Sequence, residues 1–106
     1  MNQLVIPFPK MNRTLLRTLV ADLASTSGRV KLSRHAREEM NNDDLTFPQL
    51  LVCLRKGNWS EEPYPTVRGG WHCTLTCLTA GESITVAAEV FPDRIKIITC
   101  WLDKGG

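Results

Sequence analysis

The sequence predicts one α+β domain spanning residues 1–106, with N-terminal helices packed on a three- to four-stranded antiparallel meander. Two observations carry this. Up to about residue 57 apolar side chains recur at helical spacing between recognisable caps, and from 71 to 102 they alternate with a period of two. The Pro/Gly-rich stretch from Glu61 to Gly70 separates the two regimes.

Asn12 is placed to cap a first helix running to about Ser25. Leu15, Leu16, Leu19, Val20, Leu23 and Ala24 form its apolar stripe, and Gly28 stops it. Val30 to Leu32 reads as a short extended piece. Ser33 then caps a second helix, Arg34 to Asn41, anchored by Ala36 and Met40. Thr46 and Gln49 have capping-box spacing with Pro48 in the first turn, so a third helix starts there, buries Phe47, Leu50, Leu51 and Leu54, and ends at Gly57. Asn58 to Ser60 is compatible with a short strand. Three longer strands follow: Trp71–Thr79, Ile84–Phe91 and Arg94–Leu102, separated by turns at Gly81-Glu82 and Pro92-Asp93. Leu75, Val86 and Ile97 are expected under the helices. Ile95, Ile97, Thr99 and Trp101 are expected on one face. The opposite face carries His72, Thr74, Thr76, Thr85, Glu89, Lys96, Ile98 and Cys100.

With 42% apolar residues the chain has enough material for one core, and no apolar run approaches the roughly 20 residues of a membrane helix. Met1 to Lys10 carries Pro7 and Pro9 and lacks the pattern of a signal peptide, so a cytoplasmic protein is expected. In that compartment Cys53, Cys73, Cys77 and Cys100 are expected as buried thiols. Four residues of strand span roughly 13 Å, too far for Cys73 and Cys77 to share a metal, so neither metal nor cofactor is expected.

Charge is uneven. Residues 1–58 hold nine Lys/Arg against five Asp/Glu, and residues 59–106 hold four against six. The stretch from Arg29 to Arg37 contains Arg29, Lys31, Arg34, His35 and Arg37 without an acid, a pattern that attracts phosphate. No phosphate loop, zinc-protease motif or serine-nucleophile elbow is present. His35, in the first helical turn between two arginines, is the leading candidate for proton transfer. Tyr64, Arg68 and His72 are further candidates, and Lys96 faces Glu89 on the neighbouring strand as an ordinary ion pair. Metal-free RNA cleavage needs a base, an acid and cations for the phosphorane charge, and His35, Arg37, Arg68, Tyr64, His72 and Lys96 are chemically competent for these tasks.

The stretch Leu32-Ser33-Arg34-His35-Ala36-Arg37-Glu38-Glu39-Met40 resembles the opening motif, S/T-x-H-A-R-x-x-M, of a bacterial domain-of-unknown-function family numbered four-two-five-eight. A later L-x-x-G, here Leu54 to Gly57, and a final strand like Ile97-Ile98-Thr99-Cys100-Trp101 complete the resemblance over about residues 30–103, leaving 1–28 as an extra segment and helix. That family looks like a branch of the RelE/BrnT/MqsR-like toxins. The resemblance implies a RelE/MqsR-like fold and a metal-independent endoribonuclease of a toxin–antitoxin or mobile-element system, with RNA as substrate and a cognate antitoxin as partner. It carries over His35, Arg37, Met40 and Thr99. RNA binding would then involve Arg29, Lys31, Arg34, Lys96 and Thr99. The sequence departs from the family where R-G-I-S/T is replaced by Asp43-Asp44-Leu45-Thr46. The alternative from another class is a non-catalytic protein- or nucleic-acid-binding module on the same scaffold.

Overall fold

The computed structural model describes residues 11–103. The segment before Met11 and Lys104 lie outside the described residues.

Helix α1 (Arg13–Ala24) begins where Asn12 accepts a hydrogen bond from the Leu15 amide at 2.9 Å. It buries Leu16, Val20, Leu23 and Ala24, while Leu15, about 100° away from Leu16 on the helix, is 53% exposed. A 3-10 turn, Ser27–Arg29, leads into strand β1 (Val30–Leu32). Helix α2 (Arg34–Asn42) is capped by Ser33, and helix α3 (Phe47–Lys56) by both halves of the Thr46/Gln49 capping box. At the far end of α3, Arg17 of α1 donates to the carbonyls of Gly57 at 3.0 Å and Leu54 at 2.8 Å, satisfying orphan acceptors and locking the two helices together. Burial lowers the Arg17 pKa from its ordinary value.

Strands β2 (Asn58–Trp59) and β3 (Tyr64–Pro65) are two residues each, followed by β4 (Trp71–Thr79), β5 (Glu82–Val90) and β6 (Ile95–Leu102). The sheet order is β1-β6-β5-β4-β2, with β3 also on β4. The consecutive antiparallel strands β4, β5 and β6 stand as expected, with Leu75, Val86 and Ile97 fully buried. The expected count of three to four antiparallel strands is corrected to six in a mixed sheet, because β1 pairs parallel to β6. Three residues are too few to show a period, and a parallel partner lying some sixty residues along the chain leaves no local signal. Among the described residues no helix is long and apolar enough to cross a membrane.

Three details depart from the sequence reading. The β4–β5 loop is Ala80-Gly81, with Glu82 already paired to Thr79; both loop residues have positive φ, 54° and 79°, the signature of a tight primed turn. On β6, Ala87 pairs with Thr99 and Ala88 with Ile97, so Ile98 is an extra residue. Beyond this bulge the alternation flips. Cys100 is buried in the core, whereas Trp101 turns to the other face and is 39% exposed. Lastly, Cys53 on α3 and Cys77 on β4 form a disulfide, with Cα atoms 5.2 Å apart. The expectation of four thiols, which rested on a reducing compartment, is corrected for these two: α3 lying across the sheet brings Cys53 within disulfide reach of Cys77. Cys73 and Cys100 are buried thiols, as expected.

Candidate functional site

On the sheet face away from the buried Leu75 and Val86, one line of polar side chains crosses five strands. Tyr64 pairs with His72, His72 with Glu89, Glu89 with Lys96, and Lys96 with Lys31. In-register partners share a face about 4.8 Å apart, so sequence-distant groups become neighbours. The tight Ala80-Gly81 turn fixes this register. Counting back from the Thr79–Glu82 pair brings His72 opposite Glu89.

The chain from β3 to β4 folds over that line. Thr66 and Gly70 are joined by the Thr66 N–H to Gly70 carbonyl bond at 2.9 Å, and the Gly69 amide returns to the Thr66 carbonyl at 3.1 Å. Gly69 sits at φ 87°, the left-handed position such a three-residue loop requires. The loop sets the Thr66 hydroxyl 2.6 Å from Glu89 Oε2 and Arg68 Nη1 3.7 Å from Glu89 Oε1. The Glu89 side chain is 7% exposed. Its ion-pair partner is thus Arg68, not Lys96 as expected. Arg68 is largely exposed, so solvent screens the pair and the short Thr66 bond is the firmer anchor.

From the other side, α2 is stapled to the bulge. The Ser33 amide donates to the Ile97 carbonyl at 3.0 Å, its hydroxyl donates to the Ile98 carbonyl at 2.8 Å, and the same oxygen caps Ala36 N–H at 3.0 Å. This brings His35 to the rim of a cleft of about 350 Å³ lined by Ser33, His35, Arg68, Glu89, Lys96 and Ile98. Within the Ser33–Met40 motif most residues have structural duties. Ser33 caps, Ala36 is fully buried with its carbonyl accepting from the Cys100 thiol, and Met40 packs against the core. The His35 side chain is 60% exposed and makes only a loose approach to Glu39, 3.9 Å away.

The cleft therefore collects His35, Arg68 and Lys96 from the sequence candidates. Arg34 and Arg37 are exposed on α2 and do not line it, because they point off the helix in other directions from His35. Arg29 donates to the Asp93 carbonyl at 2.9 Å and so holds the β5–β6 turn. Lys31 ends the polar line, exposed, beyond Lys96. The bulge carries Thr99, half-buried, to the polar face beside Ala87. Tyr64 stacks on His72 with ring centroids 4.7 Å apart and planes 12° from parallel. His72 Nδ1 is buried without a hydrogen bond, 3.9 Å from Glu61 Oε1.

Sequence reasoning put Glu89 and Ile98 on the polar sheet face but gave Glu89 no role beyond an ion pair, and it passed over Ser33 as a cleft residue and Thr66 as the partner of Glu89. The turn count above was the signal for Glu89. The acids that replace Arg-Gly also have places: Asp43 accepts from the Leu102 amide at 2.9 Å, closing the β6 edge, and Asp44 occupies φ 55°, where the resembling pattern has glycine. Among the described residues no group of three His, Cys, Asp or Glu is arranged to hold a metal ion.

Comparison with curated proteins and with solved structures finds no match. The cleft's motif residues and most of the sheet lie within residues 32–101, which match the model of the family described as "Domain of unknown function (DUF4258)", and the chain belongs to that family.

Proposed function

We propose that this chain is a toxin-like, metal-independent endoribonuclease acting in the cytoplasm, with the cleft around Glu89 as its active site. The observation that carries this reading is a buried carboxylate sharing one cleft with an imidazole, a guanidinium and an ammonium. In the proposed reaction Glu89 takes the proton from a ribose 2′-hydroxyl. The 2′-oxygen then attacks the neighbouring phosphorus, and the phosphorus–5′-oxygen bond breaks. His35 protonates the departing 5′-oxygen, leaving a 2′,3′-cyclic phosphate and a 5′-hydroxyl. Arg68 and Lys96 carry the added charge of the pentacoordinate state, Arg68 with its forked donors. Arg34, Arg37 and Lys31 hold flanking phosphates outside the cleft. The α+β architecture with a helix-flanked antiparallel meander supports placement among the RelE/BrnT/MqsR-like toxins, whose partner would be an antitoxin that covers this cleft.

The test is cleavage of single-stranded RNA by purified chain in excess chelator. His35→Ala, Glu89→Gln, Arg68→Ala and Lys96→Ala are each expected to lose roughly 10²- to 10⁴-fold in rate, whereas Arg37→Ala is expected to weaken RNA binding and to leave the rate at saturating RNA close to that of wild type. A second reading rests on Glu89 itself. A carboxylate already held by Thr66 and Arg68 serves equally as an anchor for the β3–β4 loop, in a non-catalytic binding module. Wild-type chain that binds RNA without cleaving it decides for that reading.

A further inference from the structure

Beside the cleft stands an exposed aromatic surface. Both residues of β3 are exposed, and Tyr64 keeps half of its surface open. One ring face lies on His72, parallel within 12°. Tyr64 is also braced along the chain, because it sits between Pro63 and Pro65: Pro65 holds Tyr64 in extended backbone, and the two fixed proline φ angles remove most of the segment's freedom. His72 backs the ring without using its buried Nδ1 in any hydrogen bond. A rigid, outward-facing aromatic ring is thus held two strands from Glu89, roughly 10 Å away by strand spacing.

We infer that Tyr64, backed by His72, is a stacking platform for an unpaired nucleobase one nucleotide from the phosphate held by Arg68; this rests on the RNA-cleft reading above and adds its substrate class. A ring face accepts any base, since every base has a π-face, so the platform gives strand preference with little sequence preference. It selects single-stranded RNA because bases within a duplex are already stacked on one another and cannot splay onto the ring. The polar line then divides the work across the sheet. Tyr64 and His72 hold a base, Glu89 with Arg68 meets the adjoining backbone, and Lys96 and Lys31 follow the strand onward.

The experiment is fluorescence anisotropy with a labelled, fully 2′-O-methylated oligoribonucleotide, which lacks the attacking hydroxyl and reports binding apart from cleavage. Wild-type chain is expected to bind the single strand at least tenfold more tightly than its duplex. Tyr64→Ala is expected to lose about 5- to 150-fold in single-strand affinity, with duplex affinity unchanged, and Tyr64→Phe and Tyr64→Trp to retain it. Circular dichroism and melting temperature show whether Tyr64→Ala keeps the fold. Equal single-strand affinity for folded Tyr64→Ala and wild type overturns the platform even if RNA is cleaved. Tyr64-dependent binding without cleavage of unmodified RNA keeps the platform and removes the enzyme. Absence of binding by wild type overturns both.

Discussion

Thr66 donates its hydroxyl to Glu89 Oε2 at 2.6 Å while accepting from the Gly70 amide at 3.1 Å, so one side chain closes the β3–β4 loop and fixes the carboxylate at the cleft floor. Thr66→Val keeps the shape and removes both bonds. It leaves a buried carboxylate oxygen short of a partner, which costs about 1–3 kcal/mol. Thr66→Ser is expected to recover most of that. In a Glu89→Ala background the Thr66→Val cost should shrink by at least half, as a double-mutant cycle by urea denaturation reads directly. Equal costs in the two backgrounds would place Thr66's contribution in the loop alone.

The Cys53–Cys77 disulfide ties α3 to β4 across 24 positions of sequence. Closing a loop of that size in the unfolded chain stabilises the fold by about 3 kcal/mol. Chain purified without reductant is expected to show two reactive thiols in denaturant, those of Cys73 and Cys100, and four after reduction. Its melting temperature should fall on reduction by several degrees, and Cys53→Ser should abolish that response. Four thiols before reduction would mean that the two cysteines meet only as core neighbours.

The remaining thiols carry a pH dependence. Burial pushes Cys73 up to about 12, with Arg17 opposing, and pushes Cys100 up to about 11, helped by the negative charges of Glu39 and Asp43. Both lie above the ordinary value of 9.0, so the folded state binds these protons more tightly than the unfolded state does. Their contribution to stability is complete below pH 9 and declines as pH rises through 11 to 12. Folded chain at pH 8.5 should resist alkylation at both positions, and the unfolding free energy should drop between pH 9 and 11. Replacing both by Ala should flatten that limb. Rapid alkylation of the native chain at pH 8.5 would contradict the burial that raises these values.

Helices were legible because their signals are local. Asn12, Ser33 and the Thr46/Gln49 pair each act within one turn of where they stand, and the structure uses all three. The β4–β5 register was legible too, since a two-residue loop sets it; the sequence merely hid the turn's first residue, Ala80, at a φ of 54° that Gly or Asn would have advertised. What eluded the sequence depends on partners far along the chain. Val30–Leu32 was legible as an extended piece, but its parallel place beside Ile95–Ile97 was not; Cys53 meets Cys77 because α3 crosses β4, and Glu89 meets Arg68 because a glycine-closed loop folds back. The candidate site was half visible for the same reason. His35, Arg68 and Lys96 were named singly, while the carboxylate they surround took its meaning only from the sheet.

The bulge at Ile98 is the sharpest such case, and it is testable by deletion. With Ile98 present, Ile95 and Ile97 point into the core before it and Cys100 points in after it, while Thr99 and Trp101 face out. Removing Ile98 restores strict alternation with every face unchanged: Thr99 then follows Ile97 directly and stays out, Cys100 stays in, and the pairs Ala87–Thr99 and Ala88–Ile97 are kept. What the deletion removes is the bulge itself, with the Ile98 carbonyl that accepts the Ser33 hydroxyl and staples α2 to the sheet. Deletion of Ile98 is therefore expected to keep cooperative thermal unfolding and to cost about 1–3 kcal/mol, the scale of a part-buried polar group left without its partner. Ile98→Ala keeps the extra residue and the carbonyl, so it should cost no more than about 1–2 kcal/mol for a half-buried side chain. In the folded deletion variant Cys100 should remain as resistant to alkylation as in wild type; rapid alkylation there would mean that the residues after Ile97 had changed faces and that the extra residue is not Ile98.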